Sequence, residues 1–219
     1  MNNYCTFYIV RHGETDWNAK KLIQGQTDIP LNKKGETQAK ELAKKLRRLK
    51  FSAVFSSDLL RAKKTAKIIA LEKKLTVITK QVLRERDFGK LEGKSHVWLQ
   101  TWRKLLRLGI DNLTDEEKKQ LIKTHQGVES DESLMKRFIP FLRQVAIAYP
   151  RQNVLIVTHG SIIRTFLIHI GYFKDELDSL KSVIENSSYI KLISDGIDFF
   201  IKETKGINVV GFKTSSTSG

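Results

Sequence analysis

The apolar positions of the chain fall into short buried runs separated by stretches of helical period. Tyr4 to Val10 is apolar or β-prone throughout, the pattern of a strand covered on both faces. Ala39, Leu42, Ala43, Leu46 and Leu49 then recur at helical spacing behind Asn32, a candidate cap. Ala53-Val54-Phe55 predicts a second strand, ending at Ser56-Ser57-Asp58. Ser57 or Asp58 is placed to cap a helix that carries Ala62, Ala66, Ile69 and Ala70. Leu75 to Ile78 offers a third strand, and Val154 to Thr158 a fourth, followed by a helix with Ile163, Phe166, Leu167 and Ile170. Ser188 to Ile193 and Ile207 to Phe212 read as late strands. Phe199 to Lys202 is a further candidate, with a hairpin around Asp195-Gly196. Strands alternating with helices indicate a layered α/β domain.

Between the third and fourth strands the pattern is helical. Trp98, Trp102 and Leu105 share one face, and Leu134, Phe138, Phe141, Leu142 and Val145 another, with Pro140 expected to bend or break that helix. The expectation is a single domain over residues 1–212, with a helical insertion or lid over about residues 94–150 and a disordered Ser/Thr/Gly-rich tail over residues 213–219.

Composition narrows the function classes. The 219 residues are 40% hydrophobic and 29% charged, which is globular. No apolar run approaches the roughly 18–20 residues that span a bilayer. Met1 to Val10 lacks the features of a secretory signal. The expected location is therefore cytoplasmic, and the single cysteine, Cys5, agrees as a buried structural thiol. The net charge of +15 is spread over helical lysines such as Lys33, Lys34, Lys40, Lys44 and Lys45. No nucleic-acid motif accompanies it, so neither nucleic acid nor a membrane is the expected partner, and the same field would favour an anionic partner such as a small phosphorylated metabolite. A homodimer is compatible with the chain.

Four motifs carry chemistry. Arg11-His12-Gly13-Glu14-Thr15 follows the first buried strand, and ligands of open α/β sheets bind beyond such strand ends. Arginine offers phosphate a planar fork of donors, a neutral imidazole is a nucleophile near neutral pH, and glycine permits close backbone approach. Alone, this run is equally compatible with a capped helix start and a structural histidine. The second motif, His159-Gly160, repeats the His-Gly pair after another buried strand. If the two strands are neighbours, the imidazoles face each other across one pocket. The third, Ser56 to Ala62, places Arg61 in the first turn of a helix. A cation is unfavourable there unless an anion is present. The fourth is Leu83 to Gly89 with Leu91-Glu92-Gly93. A carboxyl beside bound phosphate tends to keep its proton, and it can then protonate a leaving oxygen and later deprotonate water. The alternative for Glu85 is surface salt bridging with Arg84 and Arg86.

Taken together, Arg11-His12-Gly13-Glu14-Thr15, Asn18, Arg61, Glu85 and His159-Gly160 resemble the histidine phosphatase superfamily, the phosphoglycerate-mutase-like proteins. The resemblance runs from Phe7 to about Phe212, with the motifs in the family's order. It implies a three-layer α/β/α sandwich with a mostly parallel central sheet. It also implies that His12 becomes phosphohistidine, that Arg11, Arg61 and His159 hold the phosphoryl group, and that Glu85 is the proton donor. Thr15, Asn18, Gln24, Gly25 and Gly160 fall where related proteins place further phosphate or substrate contacts. No cofactor and no metal is implied. His96, His125 and His169 likewise form no metal-binding spacing.

The motifs do not separate phosphatases from cofactor-dependent mutases. Mutases of the family carry a longer insertion with an Arg-Arg-rich stretch, absent here between Glu85 and His159. Gly127-Val128-Glu129-Ser130 resembles the Gly-Gly-Glu-Ser stretch of phosphatase members, with Val128 departing from it. Leu22 to Gly25 and Leu83 to Gly89 are most similar to broad-specificity and fructose-2,6-bisphosphatase-type members. The expectation is a metal-independent phosphatase acting on a sugar phosphate or similar small monoester. The alternatives are a 2,3-bisphosphoglycerate-dependent mutase and a non-catalytic phospho-ligand or partner-binding module. Lys94, Arg103, Lys104 and Arg107 stand as either a second anion site or a solvated helix face, the latter being the commoner arrangement.

Overall fold

Cys5–Arg11 forms the first strand, β1, and its side chains alternate between two cores. Phe7 and Ile9 enter one core, Tyr8 and Val10 the other. The computed structural model describes residues 3–71, 74–97, 114–116, 127–173 and 182–209. After β1 come a short helix α1 (Asp16–Ala19), α2 (Lys33–Leu46), β2 (Ala53–Ser56), α3 (Leu60–Leu71) and β3 (Val77–Thr79). Then follow α4 (Asp131–Ala148), β4 (Asn153–Thr158), α5 (Gly160–His169), β5 (Ser182–Ser194) and β6 (Phe199–Val209). The six-stranded sheet has the order β3-β2-β4-β1-β5-β6. Strands β1 to β4 are mutually parallel, whereas β5 is antiparallel to β1 and β6 to β5.

Helices α2 and α3 cover one face through Leu42, Ala43, Leu46, Ala62, Ala66 and Ile69. Helices α4 and α5 cover the other through Leu134, Phe138, Leu142, Ile163 and Phe166. The result is the mostly parallel α/β/α sandwich. Asn32 caps α2 as expected, its side chain accepting from the Gly35 amide at 2.8 Å. For α3 the capping is divided. Ser57 Oγ accepts from the Leu59 amide at 3.3 Å, and the carboxylate of Asp28, distant in sequence, takes the Leu60 amide at 2.7 Å.

Three expectations are corrected. Asp131–Ala148 belongs to the core and not to a lid, because Phe138 packs edge-to-face on Phe166 of α5 at 5.5 Å. Pro140 sits inside α4 without ending it. Its ring is on the exposed face, where water can take the freed carbonyl. Finally, the two pieces expected after Phe199 are one strand, β6, at the sheet edge. Lys202, Glu203 and Lys205 broke the apolar pattern, and they are exposed. The hairpin is where expected, with Asp195 Oδ1 accepting from the amides of Ile197 and Asp198 at 2.9 and 3.0 Å. Trp98, Trp102, Arg103, Lys104, Leu105, Arg107, His125 and the tail over 213–219 lie outside the described residues.

Burial pushes the Cys5 thiol up to about 12, consistent with a structural role. Among the described residues no helix is long and apolar enough to cross a membrane. Phe138→Ala removes a fully buried ring and should cost about 3–5 kcal/mol in urea unfolding. Ile147→Ala on the exposed face of the same helix should stay within about 0.5 kcal/mol. Similar losses at the two positions would show that α4 is not core.

Candidate active site

Each parallel strand delivers one charged or titratable group to the same end of the sheet. β1 ends at Arg11, which pairs with Thr158 of β4, so His12 and His159 emerge side by side. Their ring centroids are 5.0 Å apart and inclined at 62°. β2 leads into α3 and Arg61, while β3 leads through a 3-10 turn at Gln81–Leu83 to Glu85. A cavity of about 170 Å³ is lined by Arg11, His12, Asn18, Gln24, Gly25, Arg61, Glu85 and Gly160. Of the expected residues, Thr15 and His159 are not on its surface. Thr15 is fully buried, and its hydroxyl accepts from the Asn18 amide at 3.1 Å and donates to Gln24 Oε1 at 2.9 Å. It therefore orients two lining residues from behind. His159 is fully buried against His12.

The loop carrying His12 is held by a backbone contact that only glycine allows. A Cβ on Gly13 would stand 2.4 Å from the Gly35 carbonyl oxygen, and one on Gly35 would stand 2.0 Å from the Glu14 carbonyl oxygen. The Gly13 amide donates to Thr65 Oγ1 at 3.1 Å, tying the loop to α3. Glu14 binds Asn32 Nδ2 at 3.0 Å, tying it also to the α2 cap.

His12 Nδ1 lies 2.7 Å from the Gly13 carbonyl oxygen. A carbonyl only accepts, so Nδ1 carries the proton and Nε2 keeps its lone pair. Burial, then Arg61 and Arg11, hold the ring well below the usual imidazole range, so it stays neutral. Burial does the same to His159, reinforced by Arg61, His12 and Arg11. Arg61 is fully buried and gives its two terminal nitrogens to the carbonyls of Thr27 (2.8 Å) and Gly25 (2.6 Å). Burial lowers it to about 10, still a cation at neutral pH. Arg11 Nη1 donates to the Ile184 carbonyl. Among the described residues, Arg11 Nε, Arg61 Nε and both ring nitrogens of His159 are buried without a hydrogen-bond partner. Buried polar atoms are rarely left so. Arg11 and Arg61 line the cavity and His159 lies against His12 behind it, a set of donors that fits an anion.

Glu85 is not a surface salt bridge. It is buried, and its two oxygens accept from the Arg86 amide (2.8 Å) and the Ser161 amide (3.1 Å). Arg84 instead pairs with Asp58, and Arg86 with Asp131 and Thr165. Arg137 holds the Glu85 carbonyl at 3.1 Å and is clamped by Glu129 at 2.8 and 3.0 Å. The Gly127 to Ser130 stretch is thus structural: Glu129 clamps Arg137, Ser130 caps α4, and Val128 packs on Ile23, Phe88 and Leu91.

Several residues at the site escaped the sequence reading. Ser161, Arg164 and Ile184 line the cavity, as do His96 and Phe88. Glu92 accepts from the amides of Gln26 (2.8 Å) and Thr27 (2.9 Å), fixing the loop whose carbonyls grip Arg61. Gly25 makes room for it, since a Cβ there would stand 1.9 Å from Glu92 Oε1. The Leu91-Glu92-Gly93 run had stood out in the sequence without an assigned role.

Comparison with known proteins assigns the chain to a family. The family model of the histidine phosphatase superfamily (branch 1) matches residues 7–204. The chain belongs to that superfamily. It is 35% identical over 175 residues to the uncharacterized phosphatase PhoE of Bacillus subtilis, covering 80% of this chain and 82% of that protein. It is 32% identical to phosphoglycerate mutase-like protein 4 of Arabidopsis thaliana, covering 99% and 95%. A crystal structure of phosphoglycerate mutase from Bacillus anthracis superposes with a TM-score of 0.77 at 27% identity, covering 94% of each chain.

The neutral imidazoles have a consequence for stability. Unfolded histidines take up protons below pH of about 6.5, whereas His12 and His159 resist doing so in the fold. Stability is then full above that pH and falls as the pH is lowered through it, by about 1.4 kcal/mol per group at pH 5.5. Urea midpoints in phosphate-free buffer should fall between pH 7.5 and 5.5. A flat or rising midpoint would mean that the rings are charged in the native state.

Proposed function

We propose that this superfamily member is a phosphatase that hydrolyses a small phosphomonoester through a phosphohistidine on His12, without a metal. The observation that carries the proposal is the His12 Nδ1 contact with the Gly13 carbonyl, which leaves Nε2 as a lone pair in a cavity lined by the buried Arg61 and the half-buried Arg11. In the first step His12 Nε2 attacks phosphorus. The N–P bond forms, the ester P–O bond breaks, and protonated Glu85 gives its proton to the leaving alkoxide. In the second step Glu85 carboxylate takes a proton from water, whose oxygen attacks phosphorus. The N–P bond breaks and inorganic phosphate leaves. Arg11, Arg61 and an N–H of His159 stabilise the charge on the equatorial oxygens, the electrostatic work that metal ions perform in other phosphoryl-transfer enzymes.

Relatives carry both phosphatase and mutase names. Hydrolysis is favoured by the short span between Glu85 and His159, which lacks an Arg-Arg pair followed by a proline-rich segment. A docking module without turnover is disfavoured because Arg11, His12, Arg61, Glu85 and His159 are all present.

Phosphorus NMR with EDTA present should show inorganic phosphate released from sugar phosphates or phosphoglycerates. Conversion of 3- to 2-phosphoglycerate without net phosphate loss would establish the mutase instead. His12→Ala should abolish turnover while the protein stays folded. Glu85→Gln should lower kcat by about 10²–10⁴-fold for an alkyl phosphate, and far less for a nitrophenyl ester, whose leaving group needs no proton. Equal losses on both esters would remove Glu85 from the donor role.

A further inference from the structure

Asn186 lies on β5 in the irregular stretch where its register with β6 shifts, between Ile184 and Tyr189. Its Nδ2 donates to the His12 carbonyl at 3.1 Å and to Asn18 Oδ1 at 3.2 Å. The next residue, Ser187, adopts a φ of 58°, and its amide donates to the same His12 carbonyl at 3.2 Å. This piece of β5 therefore grips the backbone of the expected nucleophile and touches a residue of the pocket wall.

The backbone partners fix both side-chain amides. A carbonyl oxygen only accepts, so the group of Asn186 that faces His12 is its NH2. A backbone N–H only donates, and that of Thr15 stands 3.2 Å from Asn18 Oδ1, so the group of Asn18 on that side is its oxygen. The Thr15 hydroxyl also reaches this oxygen, at 3.2 Å. The Thr15 N–H and the Asn186 NH2 thus both donate to Asn18 Oδ1, and the NH2 of Asn18 is turned the other way. Asn18 lines the cavity with Arg11, His12 and Arg61.

We propose that Asn186 is a positioning residue that, together with the Thr15 backbone N–H, holds the polarity of the Asn18 amide, so that Asn18 presents NH2 and not carbonyl oxygen to the phosphoryl group. The proposal rests on the reading that the cavity takes phosphate. Reversing the amide would aim a carbonyl dipole at an anion, converting a donor into a repulsive contact. Asn186 prevents this because its own NH2 is pinned at the His12 carbonyl and offers Asn18 only a donor.

The test is the affinity of the folded protein for inorganic phosphate, read by titration calorimetry, which needs no turnover. Asn186→Ala should weaken binding by about 3–10-fold. Asn186→Asp is closer in shape but puts acceptors against two oxygens, so Asn18 should reverse and binding should fall at least about tenfold further. In an Asn18→Ala background, Asn186→Ala should cost less than about twofold. A merely structural asparagine predicts equal losses from Asn186→Ala in both backgrounds. That result overturns the proposal, as does an Asn186→Asp variant that binds phosphate no more weakly than Asn186→Ala. Amide spectra of the wild-type protein give an independent measure should the variants fail to fold. Phosphate should shift the Asn18 NH2 signals, while the Asn186 NH2 stays protected from hydrogen exchange. An Asn18 signal that phosphate does not move overturns the proposal as well. Phosphate binding without any ester turnover would sink the phosphatase reading and leave this one standing.

Discussion

β1 and β4 run parallel and in register, with Arg11 beside Thr158, and the rest of the site depends on that pairing. The two His-Gly pairs are about 147 residues apart in the chain, yet they leave the sheet on neighbouring strands. A slip of one residue would turn one imidazole to the opposite face. The register is held because both strands are buried on both faces, with Phe7, Ile9, Val154 and Ile156 in one core and Tyr8, Val10, Leu155 and Val157 in the other. Packing on two sides therefore specifies a contact between two histidines.

What the pairing brings together is electrostatically costly. Burying a guanidinium costs several kcal/mol unless partners compensate, and Arg61 is compensated by the carbonyls of Gly25 and Thr27 and by the charges of Glu85, Asp28 and Glu92. The imidazoles meet the same field by staying neutral. Donors in such a pocket are fixed before any charge arrives, which is the preorganisation that the proposed phosphoryl chemistry needs. The surroundings hold these groups in place through Glu92 beneath the Gly25 to Thr27 loop, Arg137 behind Glu85, and Asn186 with Ser187 behind His12.

The residues proposed to carry the chemistry were legible because each lies at or soon after a strand end, within a recognisable local run. Thr15 was legible as part of the first run, but its place was not. It sits one layer back from the cavity, as a cap whose hydroxyl orients Asn18 and Gln24. Asn186 gave no signal, since a polar residue in a late strand looks like an ordinary solvated position. The same limitation applied to α4, whose pattern was read correctly as helical but assigned to a lid. Amphipathic period reveals that a helix buries one face, and it does not reveal against what.

By itself the sequence determined the alternation of strands and helices, the family, and the five groups Arg11, His12, Arg61, Glu85 and His159. Local pattern and short motifs carry that information, because a buried strand and its terminal residues are contiguous in the chain. Only the tertiary structure decided that β4 lies between β1 and β2, that Phe138 faces Phe166, and that Arg61 is wholly buried. It alone also decided which partner each polar group takes. Hydrogen bonds such as Asn186 to His12 and Thr158 to Leu83 join residues far apart in sequence. Their geometry exists only once the sheet has fixed both ends in space.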